Sequence, residues 1–206
     1  MRVAAAVVVA LGVALAPWFT APAHAGPALD QLKGQIERVI KTLDDPAIKK
    51  NDVQRRAAVR KIAEDIFDFP ETAKRSLARH WQPRTPAERD EFVQLFADLL
   101  ERSYISKIEL YGGEKIVYVS DVMDGDQAVV RTQILTKNGT QVPVDYRMLK
   151  KGDKWLVYDV IIEGVSLVAN YRTQFNKIIQ TSSYPELVKK MKAKKEEFVE
   201  AAAKKS

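Results

Sequence analysis

Residues 154–180 read KWLVYDVIIEGVSLVANYRTQFNKIIQ, and the hydrophobic period changes within this stretch. Trp155 to Ile162 is β-branched and aromatic and lacks Gly and Pro, which is the composition of a strand covered on both faces. From Val168 to Ile179 the apolar residues recur at helical spacing. Glu163-Gly164 separates the two segments, and Gly permits the backbone angles of a sharp turn. A helix that folds straight back from a buried strand predicts either a solid core or the wall of a cavity.

Upstream of this stretch the hydrophobic period is two. The pattern predicts four strands, at residues 115–122, 127–136, 140–150 and 154–162. The segments between them are typical of tight hairpin turns: Asp124-Gly125, Asn138-Gly139 and Lys151-Gly152-Asp153. Four strands joined by three tight turns form an antiparallel meander.

The Asn138-Gly139 turn sets the predicted pairing of the central strands. As a two-residue hairpin it places Arg131 opposite Tyr146 and Val129 opposite Met148. Neither face of the sheet then alternates cleanly between apolar and polar residues. Two interpretations remain open: an irregular register or bulge, or a face that lines a cavity, with Arg131 or Arg147 near its mouth.

Helical patterns flank the strands on both sides. The clearest start signal is Thr85-Pro86-Ala87-Glu88, a capping box with Pro at the first helical position. Asn51 or Asp52 is predicted to cap an earlier helix. The fold class is therefore α+β, with N-terminal helices, a four-stranded antiparallel meander and C-terminal helices packed on it.

The N-terminus has the pattern of an export signal. Arg2 precedes an apolar run, and Ala23-His24-Ala25 forms a small-x-small cleavage motif before Gly26. We expect residues 1–25 to be a signal peptide, residues 26–188 a single α+β domain and residues 189–206 a Lys-rich C-terminal helix or tail. An exported chain without Cys predicts the bacterial periplasm.

The positive charge is concentrated at the C-terminus. The chain carries a net charge of +6, and seven Lys with three Glu lie in residues 189–206. The basic composition is therefore weak support for nucleic-acid binding, and no nucleic-acid partner is predicted.

Catalytic patterns are weak throughout the sequence. His80 beside Trp81 is interpreted as structural or partner-facing. The acidic cluster at Asp121, Asp124 and Asp126 is typical of a solvated turn, so no metal site is predicted. Tyr146 and Asp159 form a conceivable acid–base pair, but Asp159 is expected instead to cap or pair near the end of its strand. No enzymatic activity and no cofactor are predicted.

Three segments together resemble a known family. They are FDFPETAKRSLARHW at residues 67–81, TPAERDEFVQLFADLLERSY at 85–104 and WLVYDVIIEGVSLVANYRTQF at 155–175. In order and spacing they are similar to the MlaC family, also called toluene-tolerance auxiliary proteins. The resemblance implies an NTF2-like cone enclosing an apolar cavity and a periplasmic phospholipid carrier that acts in outer-membrane lipid asymmetry. The implied partners are phospholipid as cargo, an inner-membrane ABC transporter with an MCE component and an outer-membrane lipoprotein–porin complex; the carrier is expected to be a monomer.

The resemblance also leads to a predicted lipid site. Its lining is expected to come from a long helix, the sheet and the strand-to-helix corner, and it comprises Leu100, Tyr104, Ile108, Val130, Val144, Tyr146, Met148, Val160, Val165, Leu167, Val168 and Tyr171. Arg131 and Arg147 are predicted to face the headgroup or a partner. The alternatives are a small NTF2-like enzyme using Tyr146 and Asp159, and a helical adaptor without lipid.

Overall fold

The computed structural model describes residues 26–48, 51–109 and 112–203. These residues form six α-helices and five β-strands, which confirms the α+β class. In chain order they are α1 (Pro27–Asp44), α2 (Asp52–Ile66), α3 (Phe69–Leu77), α4 (Pro86–Glu109), β1 (Lys115–Asp124), β2 (Gln127–Leu135), β3 (Gln141–Lys151), β4 (Lys154–Ile162), β5 (Val165–Ser166), α5 (Leu167–Thr181) and α6 (Tyr184–Ala203).

The predicted helix starts are confirmed by their capping bonds. The Asn51 Oδ1 accepts a hydrogen bond of 3.1 Å from the Gln54 N–H at the start of α2. At the start of α4, the Glu88 N–H donates to the Thr85 Oγ1 at 3.2 Å, and the Thr85 N–H donates to the Glu88 Oε2 at 2.8 Å. This reciprocal pair of bonds satisfies two backbone donors that the helix leaves unpaired.

The strands form one open antiparallel sheet in the order β1-β2-β3-β4-β5. The predicted meander is confirmed and is extended by β5, a two-residue strand that the sequence pattern did not predict. Glu163 and Gly164 connect β4 to β5 with φ angles of 50° and 81°. Two positive φ angles in a two-residue loop are those of a type I′ turn, whose twist matches that of the strands.

The predicted pairing of β2 with β3 was wrong by one residue. Tyr146 pairs with Val130, and Val144 pairs with Thr132. The loop contains three residues instead of two: the Gly139 N–H donates to the Thr136 carbonyl at 2.9 Å, and Gly139 has a φ of 83°. This geometry is a type I turn followed by a left-handed Gly. With this correction Val130 and Ile134 share one face with Val142, Val144 and Tyr146, whereas Arg131, Asp145 and Arg147 share the other.

Two large hydrophobic clusters occupy the interior. The first lies between the sheet and the helices α1 and α2, and its fully buried members include Leu32, Val130 and Val157. The second is built by helices alone and centres on Phe92, Phe96 and the α5 residue Phe175. The Phe96 and Phe175 rings meet edge to face with centroids 5.2 Å apart.

The Lys-rich C-terminal segment begins inside α6. Residue 188, the predicted end of the domain, lies within this helix. Met191 is buried in the second cluster, and the Lys195 ammonium contacts the Asp98 carboxylate of α4 at 2.6 Å. α6 therefore packs against the domain beyond residue 188.

Candidate functional site

The inner face of the sheet supplies one side of the candidate site. Val130, Tyr146 and Val160 occupy one row across β2, β3 and β4. Val144 and Val160 are buried and expose 4% and 8% of their surface, whereas Val130 and Met148 expose none. The last two contribute to the packed core, so contact between either of them and a ligand would require repacking.

Tyr146 is the least buried residue of this row. Burial raises the pKa of its phenol to about 12, and a hydrogen bond with Thr132 opposes this shift. Its side chain nevertheless remains partly accessible and packs against the first cluster. A phenol with so high a pKa stays neutral at neutral pH, so the accessible part of its ring is largely apolar.

Three residues predicted to line the lipid site belong to the second cluster or pack against it: Leu100 and Tyr104 of α4 and Tyr171 of α5. Leu100 and Tyr104 of α4 are half-buried and pack against this cluster. Tyr104 forms a hydrogen bond with the buried Tyr171, and its pKa is raised by burial and then by Tyr171. The side chain of Ile108, also predicted to line the site, lies outside the described residues.

The three residues at the strand-to-helix corner that were predicted to line the site differ in their burial. Leu167 is half-buried and packs against the first cluster, and Val168 is buried. Val165 lies on the edge strand β5 and is 58% exposed. Its position does not favour a place inside an apolar site.

Asp159 fixes this corner. Its carboxylate is buried in β4 and accepts hydrogen bonds from the Ser166 hydroxyl at 2.6 Å and the Val168 N–H at 3.0 Å. The capping or pairing role predicted for Asp159 is confirmed. Tyr146 pairs with Val160, the residue after Asp159, and neighbouring strand residues point to opposite faces. The structure therefore does not bring Tyr146 and Asp159 together as an acid–base pair.

Arg131 and Arg147 lie on the outer face of the sheet. Both are exposed, and their neighbours on their own strands, Val130 and Tyr146, belong to the opposite face. The Arg147 guanidinium lies 3.3 Å from the Asp159 carboxylate. This location does not support the headgroup role, because the outer face is separated from the apolar residues by the sheet itself. A partner-facing role remains a prediction.

The sequence prediction missed several apolar residues around the inner face. They are half-buried and pack against the first cluster: Ile36, Tyr118, Ile134, Val142 and Ile162. The correct register was the missing signal, because it pairs Ile134 with Val142 on the same face as Tyr146.

Two surface clefts lie elsewhere on the molecule. One, of about 430 Å³, is bounded by Trp81, Arg89 and Val93; the other, of about 420 Å³, is bounded by Gln31, Arg38 and Asp65. Neither contains a residue of the predicted lipid site. Their linings mix apolar, amide and charged groups, unlike the continuous apolar surface that acyl chains require.

Among the residues that the structure describes, no group of three or more His, Cys, Asp or Glu side chains is arranged to hold a metal ion. Within the same residues, no helix combines the length and hydropathy needed to cross a bilayer.

These features define an α+β protein with an open antiparallel sheet, two hydrophobic clusters and half-buried apolar side chains along both clusters. The MlaC protein family model matches residues 33–193. The chain belongs to the MlaC family, which confirms the resemblance found in its sequence.

Two relatives and one solved structure extend this comparison. The intermembrane phospholipid transport system binding protein MlaC of Haemophilus influenzae is 25% identical over 149 residues, 70% of each chain. The toluene tolerance protein ttg2D of Pseudomonas putida is 26% identical over 125 residues, 60% of this chain and 58% of that protein. A phospholipid-binding protein of Ralstonia solanacearum, solved with a phospholipid, superposes with a TM-score of 0.72 at 26% identity and covers 81% of this chain and 95% of its own.

Proposed function

We propose that this protein binds one phospholipid and carries it through the periplasm. The acyl chains would lie between the sheet and α4–α5, in contact with Leu100, Tyr104, Tyr146 and Leu167. The observation that carries this proposal is the partly accessible apolar surface on both hydrophobic clusters. The phospholipid bound by the structurally similar Ralstonia protein supports the same assignment.

The physical requirement for such a carrier follows from the acyl chains. Each methylene removed from water contributes about 0.8 kcal/mol, so a lipid with two chains cannot cross an aqueous compartment unshielded. A bilayer and an apolar pocket offer similar environments, so transfer between them requires little free energy. The direction of transfer would then be imposed by partners that consume ATP.

The proposed partners are the two membrane complexes implied by the family. One is an inner-membrane ABC transporter with an MCE component, and the other is an outer-membrane lipoprotein–porin complex. The Haemophilus relative is named as the binding protein of an intermembrane phospholipid transport system, which supports this placement. We propose that the carrier is a monomer, has no enzymatic activity and reaches the periplasm by means of residues 1–25.

Lipid extraction tests the proposal directly. The full chain would be expressed with its N-terminal segment, purified from the periplasmic fraction without detergent, and extracted with organic solvent for mass spectrometry. We expect about one diacyl phospholipid per chain. The delipidated protein should also move a fluorescent phospholipid between two vesicle populations separated by a membrane permeable to protein but not to vesicles. A folded protein that neither contains lipid nor transfers it would contradict the proposal and favour a lipid-free adaptor or an enzyme.

A further inference from the structure

A long-range contact ties the start of α1 to the sheet. The Gly26 nitrogen, immediately before α1, donates a hydrogen bond of 3.1 Å to the Asp121 Oδ1 of β1. Gly26 is the N-cap residue of α1 and provides no capping side chain of its own. The carboxylate of a distant strand therefore meets the positive end of the helix dipole, where an anion is favourable.

A side chain at Gly26 would require the Asp121 carboxylate or the Met123 side chain to move. A Cβ atom built at this position would lie 2.2 Å from the Asp121 Oδ2 and 3.1 Å from the Met123 Cε. The φ of Gly26 is −79°, which any residue can adopt. Glycine is thus favoured here by the closeness of the carboxylate, not by the backbone conformation.

The second oxygen of the carboxylate lacks a partner. The Asp121 Oδ2 is buried and accepts no hydrogen bond from any described residue. A buried acceptor without a donor is costly. An amide at Gly26 has one N–H, which already points to Oδ1, whereas an α-ammonium at the same position would have three N–H donors and a positive charge.

Cleavage of the predicted signal peptide would produce this α-ammonium group. Ala23-His24-Ala25 is the predicted cleavage motif, and Gly26 is the first residue after it. A signal peptidase would hydrolyse the Ala25–Gly26 bond: the hydroxyl of water goes to the Ala25 carbonyl carbon, and the Gly26 nitrogen leaves as an amine. An α-amino group has an ordinary pKa of about 7.7–8.0, so this amine takes up a proton at neutral pH.

We propose that cleavage between Ala25 and Gly26 creates an ion pair between the new Gly26 α-ammonium and the Asp121 carboxylate, and that this pair strengthens the attachment of α1 to β1 beyond the single hydrogen bond that the amide makes. The inference rests on the proposed export signal but not on lipid binding. A chain that retains the signal peptide has an uncharged amide at this position and cannot form the pair.

The position of α1 gives this ion pair a structural role. The Gln31 side chain donates to the Trp155 carbonyl at 2.7 Å and accepts from the Trp155 N–H at 2.9 Å. Gln31 thus holds α1 to β4, while Gly26 holds it to β1 at the edge of the sheet. Processing would strengthen the attachment of α1, whose residues Ala28, Leu29 and Leu32 are buried in the first cluster.

A double-mutant cycle tests the ion pair. Four proteins would be compared by thermal unfolding: chains that begin at Gly26 or at Ala25, each with Asp121 or with Asp121→Asn. The extra residue moves the ammonium away from Asp121, so it should lower the Tm of the Asp121 protein by about 2–4 °C. It should change the Tm of the Asp121→Asn protein by less than about 1 °C. An equal effect in both backgrounds would overturn the proposal.

Two direct measurements complete the test. The intact mass of the exported protein should correspond to a chain beginning at Gly26, and another N-terminus would overturn the proposal. With ¹⁵N-glycine labelling, the α-amino group should titrate at higher pH in the Gly26-start protein than in its Asp121→Asn variant. Asp124→Asn serves as the matched control, because Asp124 is an exposed carboxylate at the end of the same strand. It should leave the titration unchanged, and a shift as large as that of Asp121→Asn would contradict the pairing.

Discussion

The Asp159 Oδ1 accepts a hydrogen bond of 3.0 Å from the Val168 N–H, so a strand residue caps the helix that follows it. The Ser166 hydroxyl donates to the other oxygen of Asp159 and accepts from the Ala169 N–H at 3.0 Å. Two side chains therefore satisfy two of the free N–H groups at the start of α5. This arrangement fixes the angle at which α5 leaves the sheet, and with it the position of Leu167.

The first prediction concerns this buried cap. Asp159→Ala should lower the free energy of unfolding by about 3 kcal/mol, because it removes the acceptor for Val168 and Ser166 and leaves Arg147 without its carboxylate. Denaturant unfolding measures the change. Asp153→Ala, in the exposed turn before β4, is the control and should alter stability by less than about 0.5 kcal/mol. Equal losses in the two variants would refute the capping role.

The second prediction concerns the apolar lining at the corner. Leu167→Asp should remove nearly all bound phospholipid, because a charge placed beside acyl chains must lose its hydration. Folding should be retained, since Asp at the first position of α5 interacts favourably with the helix dipole. Lipid per chain would be measured by extraction and mass spectrometry.

Val165→Asp provides the matched control for this lining. Val165 lies two residues before Leu167 and is 58% exposed, so an added charge there remains in water. Lipid content should equal that of the parent protein. If both variants retained their lipid, Leu167 would not belong to the site.

The third prediction concerns alkaline pH. Burial raises the pKa of Tyr146 to about 12, and burial followed by Glu88 does the same for Tyr184. An unfolded Tyr titrates near pH 10, so the folded state binds this proton more tightly. The resulting stability is fully present below pH 10 and is lost as pH rises towards 12.

Absorbance at 295 nm can follow this titration. In the native protein the phenols of Tyr146 and Tyr184 should ionise near pH 12. Tyr146→Phe should remove one of them and reduce the loss of stability between pH 10 and pH 12. An unchanged amplitude of the late step in Tyr146→Phe would show that Tyr146 is not desolvated.

The fourth prediction concerns the attachment of α6. Asp98 of α4 is largely buried and contacts the Lys195 ammonium at 2.6 Å and the Arg60 guanidinium at 3.3 Å. Asp98→Asn should weaken both contacts and speed hydrogen exchange in residues 192–197 by about tenfold, equivalent to about 1.4 kcal/mol.

An exposed ion pair on the same helix gives the comparison. Glu186 lies 3.8 Å from Lys189, whose side chain is 79% exposed. Exposed pairs contribute little, so Glu186→Gln should leave the exchange of residues 192–197 unchanged. If the two variants behaved alike, Asp98 would not hold the end of α6.

The elements of the fold were predictable because their signals are local. The capping box at Thr85 placed the start of α4, and the turns at Gly125 and Gly152 separated β1 from β2 and β3 from β4. The two-residue strand β5 was not predictable, because so short a segment has no period of its own.

The candidate site was predicted less well because it depends on register. Asn138-Gly139 is compatible with a two-residue loop and with a three-residue loop, and a shift of one residue exchanges the two faces of a strand. For that reason Arg131 was placed opposite Tyr146 although the two lie on different faces, and the pair formed by Ile134 and Val142 was missed. Neither loop length nor side-chain burial is encoded in the period of the strand alone.

The two hydrophobic clusters have a mechanical consequence. They share no residue, and α5 joins them, with Leu167 against the first and Phe175 within the second. A lipid in contact with both clusters would couple them mechanically. If the protein carries lipid as proposed, its lipid-bound form should therefore be stiffer than its lipid-free form.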